Sequence, residues 1–96
     1  MIQRTRWDAP RELDSPGRLA NLLEEVKEAV RAGELIQITL PGSPFATKES
    51  VQHLLPGGPW PDYLELYFED SRTGKRYRLV AETYHGRGGR WEDVIG

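Results

Sequence analysis

Glu82, His85 and Arg87 stand close together near the C-terminal end of a 96-residue chain, and Glu65 and Arg78 flank them on neighbouring stretches. Phosphodiester cleavage needs a base for the attacking hydroxyl, an acid for the leaving oxygen and a cation for the charge that builds between them. These residue types supply all three. Surface carboxylates and arginines also pair for solubility alone, and a formal net charge of -2 works against a polyanionic substrate. An RNA-binding or RNA-cleaving domain built on Glu82, His85, Arg87 and Arg90 is therefore the alternative expectation, not the leading one.

The same region reads Tyr84-His85-Gly86-Arg87-Gly88-Gly89-Arg90-Trp91, in which three glycines are interspersed with two arginines and flanked by aromatics. A loop of that kind can cradle a phosphate or stack a single strand of RNA. It lacks the Lys-Ser/Thr of a phosphate-binding loop, and Trp91 occupies the place of the last glycine in a dinucleotide fingerprint. A glycine-rich connector after a strand explains it with fewer assumptions.

The leading expectation comes from Tyr63, Tyr67, Arg78, Val80 and Tyr84, which alternation puts on one side of a two-stranded ribbon. Tyrosine and arginine give large contact area with a polar handle, the combination that partner-binding surfaces favour. With His85, Arg87 and Arg90 these residues form the expected binding surface. The expected partner is another protein, a second copy of the chain included; nucleic acid is less favoured. Cross-strand pairing on a solvated sheet accounts for the same residues without any partner.

Other chemistries find little support. There is no Cys, and His53 and His85 share no metal-ligand spacing with each other or with a carboxylate. No Ser lies in a nucleophile elbow, and no cofactor or metal is expected. The longest apolar run is far short of a membrane span and Met1-Ile2-Gln3-Arg4 lacks a secretory pattern, so a cytoplasmic protein with no membrane role is expected.

The elements that must position these residues are legible from periodicity. Ser15-Pro16 reads as a helix cap followed by proline at the first turn. Leu19, Leu22, Leu23, Val26 and Val30 then form one stripe until Gly33. Glu34 to Leu40 alternates as a strand with Ile36 and Ile38 expected on the helix side. Thr47 is expected to cap a short helix carrying Val51, Leu54 and Leu55 before Pro56, and Trp60 is expected to tuck against the core.

From Asp62 to Tyr84 two strands alternate strictly. A four-residue loop, Ser71-Arg72-Thr73-Gly74, sets Asp70 against Lys75, Phe68 against Tyr77, Leu66 against Leu79 and Leu64 against Ala81, with Gly74 taking the left-handed backbone. A three-residue loop would bury Arg78 and Glu82 without partners. The expected fold is α+β: one domain over 1–96, a two-layer sandwich of one long N-terminal helix on an antiparallel sheet of three to five strands, with a short second helix between the first two main strands. Residues 1–13 read as an arm or edge strand, and 86–96 as a glycine-rich loop and tail in which Trp91 to Ile95 returns as a short strand or a docked tail. A third functional class, a structural subunit, would associate through Trp7, Trp60 or Trp91.

Overall fold

The computed structural model describes residues 5–40, 43–44, 46–84 and 88–94. Strand β1 (Arg11–Glu12), helix α1 (Pro16–Arg31), β2 (Leu35–Ile38), β3 (Tyr63–Asp70), β4 (Arg76–Glu82) and β5 (Gly88–Asp93) follow in chain order, with a 3-10 turn at Val51–His53. The five strands form one antiparallel sheet, ordered β1-β5-β4-β3-β2, and α1 packs on one side of it. The α+β class and the two-layer arrangement are as the sequence predicts, with the strand count at the upper end.

Helix α1 starts where the cap chemistry puts it. The Ser15 hydroxyl accepts the Arg18 N–H at 3.2 Å, Pro16 opens the first turn, and Gly33 follows the last with φ 78°. Leu19, Leu22, Leu23 and Val26 are buried against the sheet; Ala29 completes the stripe, with Val30 only partly buried at its margin. The β3–β4 ribbon has the expected register, from Tyr63 opposite Glu82 to Glu69 opposite Arg76. Its turn closes through Asp70, whose carboxylate accepts the N–H groups of Arg72 (2.8 Å) and Thr73 (3.1 Å), and through Gly74 at φ 76°.

Three expectations are corrected. Ile36 and Ile38 do not face the helix: Leu35 is buried, Ile36 is 48% exposed, and Ile36 and Ile38 stand opposite Glu69 and Tyr67. The inward position after Leu35 belongs to Gln37. Its Oε1 accepts the Val51 N–H at 2.7 Å and its Nε2 donates to the Glu49 carbonyl at 3.0 Å, so this half-buried polar side chain is satisfied.

The short second helix is a single 3-10 turn capped by Ser50, not by Thr47. Thr47 instead exchanges bonds with Glu65: its N–H reaches the Glu65 carbonyl and its hydroxyl accepts the Glu65 N–H, both at 2.9 Å. Val51 and Leu54 enter the core, whereas Leu55 is exposed.

Part of the glycine-rich tail is a strand. Gly88 to Asp93 pairs with β4 along its length, and Gly89 is there because nothing larger fits: a Cβ would lie 1.9 Å from the Val80 carbonyl oxygen. The N-terminal stretch takes the edge-strand alternative, with Arg11 and Glu12 pairing with Trp91 and Arg90 at the edge of the sheet and Trp7 joining the core. Trp7 is fully buried with its ring tilted against Trp91, centroids 5.5 Å apart, and Trp91 also stacks on Tyr77 (5.3 Å) and meets Phe68 (5.8 Å). Trp7 and Trp91 thus lie inside the core and not on a surface where subunits would meet. Trp60 is partly buried against the same cluster, as expected.

Candidate functional site

All the packing described so far lies on the helix side of the sheet, and both helical elements sit there. The opposite side is built from the alternate residues of the same strands. Pairing sets them in rows: Tyr63 with Glu82 and Gly88, Glu65 with Val80 and Arg90, Tyr67 with Arg78 and Glu92, and Glu69 with Arg76. Five of the expected surface residues, Tyr63, Tyr67, Arg78, Val80 and Arg90, therefore share one face. Tyr84 lies past the end of β4, 70% exposed. His85 and Arg87 lie outside the described residues.

This face is less wet than its polarity suggests. Glu65 is only 6% exposed and Tyr67 is buried as well. The Glu65 carboxylate accepts the Tyr63 hydroxyl at 2.9 Å and the Tyr67 hydroxyl at 2.7 Å, and Ser43 provides a third bond. Burial pushes this carboxyl up, but the hydroxyls of Ser43, Tyr67 and Tyr63, with Arg78 nearby, hold it below the ordinary glutamate value. Desolvation first, then the hydrogen bond to Glu65 and its charge, raise both tyrosines. Glu65 is an ionised, fully engaged acceptor. A general base working near neutrality needs the opposite, a raised value and a free lone pair.

Arg78 is bound to Glu92 on β5, and this bond is the main reason its guanidinium is held more firmly protonated than usual. Arg90 reaches the other oxygen of Glu92 at 3.1 Å and lies 3.9 Å from Glu12 on β1. One carboxylate is thus shared between two guanidinium groups. The Arg78 Nε is buried with no hydrogen-bond partner among the described residues. Glu92 is missing from the expected surface although a signal for it exists: Arg90 and Glu92 alternate with Trp91, the pattern of a half-buried strand. Ser43 carries no such signal, since its role depends on the path of a connector.

Among the described residues there is no group of three His, Cys, Asp or Glu side chains able to hold a metal, and no helix is long and apolar enough to cross a membrane. Comparison of the chain with protein-family models, with curated proteins and with solved structures returns no match.

Proposed function

We propose that this is a small non-enzymatic binding or regulatory protein that engages another protein through the outer face of its sheet. One observation carries the reading. The outer face sets Tyr63, Val80, Arg78 and Arg90 side by side, while the helical elements and the core occupy the other side. Large amphipathic and guanidinium groups on a firm, flat support suit a contact surface, because little side-chain freedom remains to be lost on binding. The β2 edge suits it less well. It is only four residues long, and the Gln37 side chain there is already bound to the backbone of Glu49 and Val51.

A photo-crosslinking amino acid placed at position 80 or, as the control, at position 24 on the solvent side of α1 tests the reading in cells of the native host. The expected result is an adduct to one discrete protein from position 80, abolished by excess unlabelled protein, and none from position 24. Adducts from position 24 alone, or equal adduct patterns from both, would sink it.

A further inference from the structure

We draw no further inference here: the strongest candidate, the small apolar cleft between the start of α1 and the end of β4, lined by Leu13, Leu19, Trp60 and Ala81, carries nothing because nothing in the structure shows what would fill it.

Discussion

The hydroxyl of Tyr67 donates to Glu65 Oε2 at 2.7 Å, joining two residues of one strand that flank Leu66 and point to the same side of the sheet. The bond lies on the face that alternation marks as wet, yet both partners are buried. The acid response of the fold follows from it. Glu65 has its folded-state value held below its ordinary 4.5, so its contribution to stability is complete above pH 4.5 and is lost as pH falls through that lower folded value. Urea midpoints should therefore drop on acidification below pH 4.5. Glu65→Gln, which cannot titrate there, should flatten the slope, leaving the part due to Asp8, also held low, chiefly by its bond from the Thr5 backbone. Identical slopes in the two proteins would refute the assignment.

Gln37 and Ile36 provide a test of the β2 correction. Gln37→Ala leaves the Val51 N–H without its acceptor and should cost about 1–3 kcal/mol. Ile36→Ser, on the exposed side, should stay within about 0.5 kcal/mol. Chemical denaturation of both variants decides it, and the reverse ranking would restore the naive alternation.

Removing the Trp7 ring should be felt as a core deletion. Trp7→Ala strips one side of the Trp91 cluster and abandons the 2.7 Å bond from its indole N–H to Glu34. A loss of about 3–5 kcal/mol is expected, with a fall in thermal midpoint and loss of near-ultraviolet aromatic signal. A change under about 1 kcal/mol would mean that the segment is a detachable arm after all.

Gly89→Ala and Gly57→Ala form a matched pair. At Gly89 the new methyl meets the Val80 carbonyl and the Ala81 Cα, so β5 must shift away from β4, at a cost of about 2 kcal/mol or more. At Gly57 nothing lies within 4 Å and the change should be close to neutral. Amide exchange across the β4–β5 ladder should accelerate in the first variant only; unchanged protection there would contradict the close approach.

The helix and the β3–β4 ribbon were legible because each carries redundant signals. Cap, proline, stripe and glycine agree over 15–33, and two strictly alternating strands around Gly74 admit one register that buries no charge. β2 was not, because Leu35, Ile36 and Ile38 place apolar residues on both sides; the side that won depends on a polar residue, Gln37, being satisfied by a distant backbone. The first half of β5, Gly88 to Arg90, was hidden for a different reason, whereas Trp91 to Ile95 already reads as a short strand or a docked tail. Glycine opposes a strand by its local preference, and only the crowding against Val80 shows that this strand excludes anything larger. On the candidate face, alternation gave the members from β3 and β4 but not their burial, since that comes from Ser43 and Thr47, which approach from a connector without periodicity.

The Trp91 indole N–H bonds to the backbone carbonyl of Trp7 at 2.8 Å, across 84 positions of sequence. Synthesis runs from one end, so a nascent chain already holding α1, β2 and the β3–β4 ribbon still has Trp7 without its partner ring and β4 with a bare edge. Both gaps close in one step when β5 docks. Until then β4 is the strand most open to wrong neighbours.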